Sequence, residues 1–298
     1  MHMDVGVIGL GTMGSRMVHA LLDADHQVFV HDVSAAAIDR AVAAGAERVE
    51  SSDEVGAIVR VVLLSLPLPS DVEEVVAGEA GLLSRPAKGL TVVDTSTVDP
   101  GTTRRLAEKA AAAGVGYLDA PVLGRPDACG RWSLPVGGDS ASLEEARPAL
   151  DALASTITHV GGPGAGNAIK LLNNLMFGAI NAITAEAFAA AALVGVSPRR
   201  FYETVADSGA ATVSNLFRQL GPKILEGDFS PIFTIDLLRK DNLLAIAMLE
   251  DEGASLIVGN AVTTLNGLAR AAGYGSEDTS AAVKVYETIT GEKVAGRE

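Results

Sequence analysis

The first half of the chain alternates short apolar runs with helix-period stretches. Residues 5–9, 27–31, 59–65, 90–94 and 116–119 are rich in aliphatic and β-branched side chains and read as strands. Alanine-rich segments with apolar positions at helical spacing fall at 14–22, 35–44 and 102–113. This β-α-β-α rhythm predicts a parallel sheet with helices on both faces. Residues 132–137 and 156–160 add later strands, with a helix over 143–153 between them. The pattern changes at Gly161-Gly162-Pro163-Gly164, a turn-forming cluster that predicts a domain boundary. Beyond it no stretch reads as a strand. Helical periodicity runs over 165–194, about 45 Å at the usual rise. Further helices are expected over 198–206, 212–226, 235–250, 256–272 and 279–290, with start signals at Ser197-Pro198 and Asp278-Thr279. The expected architecture is an α/β domain over 1–162 and an all-α domain over 163–298, joined by the long helix.

Composition agrees with two domains: 298 residues is long for one core. Aromatics are only 4%, which favours tightly packed helices over an aromatic binding surface. The net charge is −14, and the longest basic groups are the pairs Arg104-Arg105, Arg199-Arg200 and Arg239-Lys240. Nucleic acid and anionic membranes are therefore not expected partners. A single cysteine, Cys129, allows no internal disulfide and fits a reducing compartment, the cytoplasm. Residues 1–14 carry Asp4 and early glycines without a basic start, so they do not read as a leader. The apolar stretch 175–194 approaches membrane-span length but contains Asn181 and Glu186, and reads better as a buried bundle helix. His2, His19, His26, His31 and His159 show no ligand spacing, so no metal is expected.

Gly9-Leu10-Gly11-Thr12-Met13-Gly14 follows the first strand and opens a helix. This is the G-x-G-x-x-G pattern in its strand–turn–helix setting, the dinucleotide fingerprint of a Rossmann-type domain. The first glycine allows the tight turn, the second lets the backbone approach a pyrophosphate, and the third lets helix and strand pack closely. The second strand ends in Asp32, which can accept from ribose hydroxyls and would repel an extra phosphate; NAD is therefore expected in preference to NADP. Leu66 and Pro67, after the strand at 59–65, are candidates for the adenosine side. Ser96 and Thr97, after the strand at 90–94, can reach the nicotinamide ribose or a substrate, or else cap the helix starting near Asp99-Pro100. In Gly164-Ala165-Gly166-Asn167-Ala168-Ile169-Lys170-Leu171-Leu172-Asn173-Asn174, a glycine turn opens a long apolar helix carrying one lysine. Lys170 and Asn174 share a helix face. A lysine among such apolar neighbours either snorkels to water or does proton chemistry.

Three ordered segments, Gly9–Gly14, Asp119-Ala120-Pro121-Val122 and residues 164–174, resemble the β-hydroxyacid dehydrogenase family, which includes 3-hydroxyisobutyrate dehydrogenase. A fourth, Leu238-Arg239-Lys240-Asp241-Asn242-Leu243-Leu244-Ala245, looks like the family's later lysine–aspartate motif. The resemblance implies a Rossmann-type N-terminal domain, a long connecting helix and a helical C-terminal domain. It implies an oxidoreductase that interconverts a small β-hydroxyacid and its semialdehyde or keto form. Lys170 is then the general acid/base, Asn174 orients the substrate, and Lys240 approaches the nicotinamide end of the cofactor. A homodimer or homotetramer is also implied. In oxidation Lys170 takes the hydroxyl proton as a neutral amine; in reduction it returns one.

One departure stands out. The family's substrate loop commonly continues as Ser-Gly-Gly, whereas Val122 is followed here by Leu123-Gly124-Arg125. A hydroxyl that would help hold a carboxylate is lost, and Leu123 makes the wall apolar. Arg125 either replaces the lost donor with a planar fork or pairs at the surface with Asp127. An unusual, bulkier or more apolar substrate is the expectation. Phe233, Asp236 and Leu237 precede Lys240 and are candidates for the same wall, or in the case of Phe233 for the core. The competing readings are an imine or other carbonyl reductase of the same fold, and a non-catalytic NAD(H)-binding protein.

Overall fold

The computed structural model describes residues 2–296. The chain forms two compact units, Met1–Lys170 and Leu171–Glu298.

The first unit is built on one eight-stranded sheet: β1 (Asp4–Ile8), β2 (Gln27–His31), β3 (Glu47–Arg48), β4 (Val61–Leu64), β5 (Thr91–Asp94), β6 (Gly116–Asp119), β7 (Trp132–Gly137) and β8 (Ala154–Gly161). Their order is β3-β2-β1-β4-β5-β6-β7-β8. The first six strands are mutually parallel, and the order reverses between β1 and β4. Such a reversal opens a crevice at the carboxyl ends of the strands. Alternate residues go to opposite cores. Val5, Val7, Leu63 and Val93 pack on one face with Met17, Leu21 and Trp132. Ile8, Val62, Leu64 and Val92 pack on the other with Val76 and Leu106. Burial on both faces is why these strands are continuous apolar runs rather than alternating ones.

The sheet is not wholly parallel, which corrects the sequence expectation. β7 runs antiparallel to β6, pairing Gly137 with Asp119, and β8 is parallel to β7. The connection 120–131 holds a 3-10 turn, Pro126–Ala128, and no crossover helix, so the chain folds back beside β6. Three short elements also escape the periodicity: β3, α3 (Ser52–Ile58) and α4 (Pro69–Ala77). β3 is two exposed residues, α3 is seven residues long, and α4 buries only Val72 and Val76.

Helices α1 (Thr12–Asp23), α2 (Ala35–Ala43), α5 (Pro100–Ala112) and α6 (Ser140–Asp151) cover the sheet. α7 (Ala165–Leu193) runs across the division between the units, its first six residues belonging to the first. The second unit continues with α8 (Pro198–Asp207), α9 (Asn215–Glu226), α10 (Ile235–Glu250), α11 (Ile257–Ala271) and α12 (Val283–Thr290). Its described residues contain no strand, only an isolated bridge between Thr234 and Asp278. The helix predicted over 279–290 begins as a 3-10 turn, with the Ser280 amide donating to Asp278 Oδ1 at 3.2 Å. Ser197 caps α8 by accepting from the Arg200 amide. α7 is long and apolar enough to cross a membrane by length and composition. It places Ala185, Phe188, Ala189 and Ala192 in the unit's own core, where Phe188 meets Phe201, Tyr202 and Phe217 with ring centroids 5.4 to 6.3 Å away.

Candidate active site

The glycine turn sits at the carboxyl end of β1, as the motif requires. Gly9 adopts φ +90°, and a Cβ there would lie 2.3 Å from the Ser65 carbonyl oxygen. A Cβ on Gly14 would lie 1.8 Å from the Gly9 carbonyl oxygen. Fold geometry alone therefore demands glycine at both. Gly11 differs: a Cβ there meets no protein atom within 4 Å. Nothing in the protein forbids a side chain at Gly11, yet one would stand over the start of α1. Gly11 is the N-cap of α1 and supplies no side-chain bond to the first-turn amides. These amides and the positive end of the helix suit a pyrophosphate, so the residues fit a bound dinucleotide. Thr12 and Met13 form the first turn itself.

Asp32 follows β2. Its Oδ2 accepts from the Leu10 amide at 2.6 Å and its Oδ1 from the Ser34 amide at 2.7 Å. The carboxylate thus ties the glycine turn to the end of β2. Each oxygen keeps a lone pair for a ribose hydroxyl. Ser96 Oγ accepts from the Leu66 amide at 2.9 Å, which locks the loop after β4 to the loop after β5. Pro67 is exposed and Thr97 half-buried on these loops. The alternative that Ser96 or Thr97 caps α5 is not what the structure has: Asp99 is the N-cap, accepting from the Thr102 amide at 2.8 Å.

Lys170 is half-buried on α7, and its Nζ donates to the Val122 carbonyl at 2.7 Å. An amine donates to a carbonyl as an ammonium does, so this bond can hold in either protonation state. The Val122 segment is itself pinned. Leu123 exchanges backbone bonds with Ser133, and Trp132 Nε1 donates to the Arg125 carbonyl at 2.7 Å. Gly124 packs so closely on the Trp132 ring that a Cβ would lie 2.5 Å from it. Arg125 Nε, itself buried, lies 3.7 Å from Oδ1 of the exposed Asp127.

In the second unit Asn174 is buried, and its Nδ2 donates to Asp241 Oδ2 at 2.5 Å. Its Oδ1 accepts from Asn173 Nδ2 at 3.1 Å. Lys240 Nζ lies 3.0 Å from the other oxygen of Asp241. Asp241 therefore holds two predicted site residues, Asn174 and Lys240, although the sequence reading assigned it no role. Phe233 stacks edge-to-face with Phe177 at 5.6 Å, both rings half-buried, and Asp236 pairs with Arg270 at 3.2 Å.

Two further carboxylates are buried at the strand ends. Asp94 ends β5, accepting from the Tyr117 hydroxyl at 3.0 Å and the Ser96 amide at 2.9 Å. Burial raises it to about 6, against the lowering pull of these bonds. Asp119 ends β6 and accepts from the backbone amides of Gly164 and Asn167. Burial raises it as well, with those amides pulling it back. Both aspartates stand inside segments singled out from sequence, but nothing local marks them as buried. Burial pushes the Cys129 thiol up to about 11, which makes it a poor nucleophile. Among the described residues no group of three or more His, Cys, Asp or Glu side chains is placed to hold a metal ion.

Residues 4–161 match the family described as the NAD binding domain of 6-phosphogluconate dehydrogenase. Residues 164–286 match the family described as NAD-binding of NADP-dependent 3-hydroxyisobutyrate dehydrogenase. The chain is 35% identical over 294 residues to 2-(hydroxymethyl)glutarate dehydrogenase of Eubacterium barkeri, covering 98% of this chain and 97% of that one. It is 35% identical over 292 residues to 3-sulfolactaldehyde reductase of Escherichia coli (strain K12), covering 96% and 97%. Its fold is similar to the crystal structure of 3-hydroxyisobutyrate dehydrogenase from Salmonella typhimurium, with TM-score 0.87 and 28% identity over 95% of this chain and 99% of that one.

The raised Asp94 has a consequence for stability. The folded protein binds this proton more tightly than the unfolded chain does, so the contribution falls as pH rises from about 4 to about 6 and stays low above. Asp94→Asn keeps both hydrogen bonds, since the Tyr117 hydroxyl can accept as well as donate. The variant is expected to be more stable than the parent at neutral pH, by on the order of 3 kcal/mol at most. The gap should narrow towards pH ~4 and vanish below it, where both states of the parent are protonated. Urea unfolding at the two pH values checks this; a gap independent of pH would remove Asp94 as its cause.

Proposed function

The chain belongs to the β-hydroxyacid dehydrogenase family, the 3-hydroxyisobutyrate dehydrogenase-like oxidoreductases that bind NAD(P), and we propose that Lys170 is its proton-transfer residue. The observation that carries this reading is the 2.7 Å bond from Lys170 Nζ to the Val122 carbonyl, which joins two of the family's motifs in one place. When bound, the dinucleotide supplies the hydride acceptor in oxidation and the hydride donor in reduction. In oxidation the substrate hydroxyl gives its proton to the Lys170 amine as the C–H bond breaks. In reduction the Lys170 ammonium returns the proton to the carbonyl oxygen. Val122 keeps Nζ aimed through either step. Asn174, oriented by Asp241, contributes an amide for the substrate hydroxyl or carboxylate, and Lys240 a positive charge toward the nicotinamide end. Asp32 favours NAD over NADP through its charge.

The substrate is a small β-hydroxyacid or its semialdehyde or keto form. Leu123 offers it an apolar wall, and Arg125, three residues beyond Val122 on the same pinned segment, offers a fork for a carboxylate. Its pair with Asp127 is long, at 3.7 Å, and Asp127 is exposed, so the pair costs little to break. One relative is named for a dicarboxylate, 2-(hydroxymethyl)glutarate, and another for an aldehyde bearing a sulfonate, 3-sulfolactaldehyde; both names carry an anionic group away from the reacting carbon, which supports an anion-binding arginine here. The protein works in the cytoplasm without nucleic-acid or membrane partners. It assembles as a homodimer or homotetramer, a reading supported by exposed apolar side chains on α7 and α11, among them Met176, Ile183, Ile257 and Val258.

Lys170→Ala is expected to lower turnover by about 10²- to 10⁴-fold while leaving NADH affinity unchanged. Rates are read with NAD and with NADP over a panel of β-hydroxyacids; retained turnover in the variant would defeat the proton-transfer role. Arg125→Ala should raise KM for dianionic acids at least about tenfold and spare kcat. An equal KM for dianionic and monoanionic acids in the variant and parent alike would leave Arg125 as a surface residue. Light scattering should report two or four chains per particle, and a monomer would overturn the assembly reading.

A further inference from the structure

The first turn of α7 is gripped by two buried side chains that the proton-transfer scheme does not use. Asp119 and Asn167 are both fully buried. Asp119 Oδ1 accepts from the Gly164 amide and Oδ2 from the Asn167 amide, each at 2.8 Å. The carboxylate thus satisfies two of the amides that a helix start leaves without partners, and its charge faces the positive end of α7. This cap comes from β6 rather than from the residues beside the helix. Its approach is close: a Cβ on Gly166 would lie 2.5 Å from the Asp119 carbonyl oxygen and 3.0 Å from Oδ2. Asn167 faces the neighbouring loop. Its Oδ1 accepts from the Val98 amide at 3.3 Å, and its Nδ2 donates to Thr103 Oγ1 at 3.2 Å.

These contacts close a ring. Three residues after Asp119 stands Val122, whose carbonyl receives Lys170 Nζ. Three residues after Asn167 stands Lys170 itself. Val98 directly follows Ser96 and Thr97. The lysine is therefore tied on one side to the Val122 segment and on the other to the loop after β5. We infer that Asp119 and Asn167 are positioning residues, which register the first turn of α7 against these two loops and so hold the Lys170 amine at the reacting oxygen. The inference rests on the proton-transfer reading of Lys170. Its physical warrant is the sensitivity of proton transfer to placement: a displacement of about 1 Å can cost on the order of 10²-fold in rate.

Thr103 gives access to the ring from α5: its hydroxyl accepts from Asn167 Nδ2 at 3.2 Å and donates to the Asp99 carbonyl at 3.4 Å. Thr103→Val removes both of these hydroxyl bonds and keeps the shape; Thr103→Ser keeps the hydroxyl. Asp119→Asn is made alongside, replacing one acceptor oxygen with a donor that faces a backbone amide. Thr103→Val is expected to lower kcat about tenfold, with NADH affinity and substrate KM near the parent values. Thr103→Ser should restore kcat. Amide hydrogen exchange over residues 164–170 should quicken in Thr103→Val and in Asp119→Asn. A folded Thr103→Val with parental kcat, only its melting temperature lowered, overturns the inference and leaves a purely structural contact. The two readings fail separately. If Lys170→Ala keeps its turnover, the proton-transfer reading fails and takes the positioning role with it. If Lys170→Ala is inactive and Thr103→Val is not impaired, the positioning role fails alone.

Discussion

A buried carboxylate at the end of β6 is the constraint on which the lysine's position depends. Asp119 has no cation beside it in the contacts that hold it; two backbone amides at the start of α7 do the work instead. Burying a charge this way is costly unless the donors are fixed, and helix amides are fixed by the helix itself. The same bonds therefore serve two ends. They offset part of the cost of the buried charge, and they set the register of a long helix whose next turn carries Lys170.

A second buried carboxylate repeats the device one strand away. Asp94 accepts from Tyr117 and from the Ser96 amide, and Ser96 in turn accepts from the Leu66 amide. The loops that follow β4 and β5 are thereby held to each other by side chains, not by sheet bonds. Both aspartates stand at the carboxyl ends of parallel strands, the place where open α/β sheets bind their ligands. Asp32, at the end of β2, extends the theme by bonding the glycine turn. Polar groups at strand ends thus form the framework on which the loops rest, while the apolar strand interiors supply the stability that tolerates them.

The second unit arranges its own polar group by a similar logic. Asp241 is buried with Asn174 on one oxygen and Lys240 near the other. Orienting an amide through a carboxylate fixes which end of it faces outward, so Asn174 presents a defined donor and acceptor pattern rather than a freely turning amide. The unit's aliphatic and aromatic core takes Ala185, Phe188, Ala189 and Ala192 from further along α7.

Local pattern alone determined much of this protein. Continuous apolar runs marked β1, β4 and β5 because strands covered on both faces need no polar side. The spacing of Gly9, Gly11 and Gly14 marked the turn at α1, because close backbone approach admits no side chain at Gly9 or Gly14. The four motifs marked the family, and helical periodicity marked nearly every helix of the second unit. Tertiary structure alone decided the rest. The reversal of β7 followed from a connection too short for a crossover helix. Asp241 acquired its role from two partners, one of them 67 residues away in sequence. Asp119 and Asn167 acquired theirs from bonds spanning 45 to 69 residues. Periodicity reports which face of an element is buried; it carries no information about which distant donor a buried oxygen will meet, since that is settled only when the elements pack.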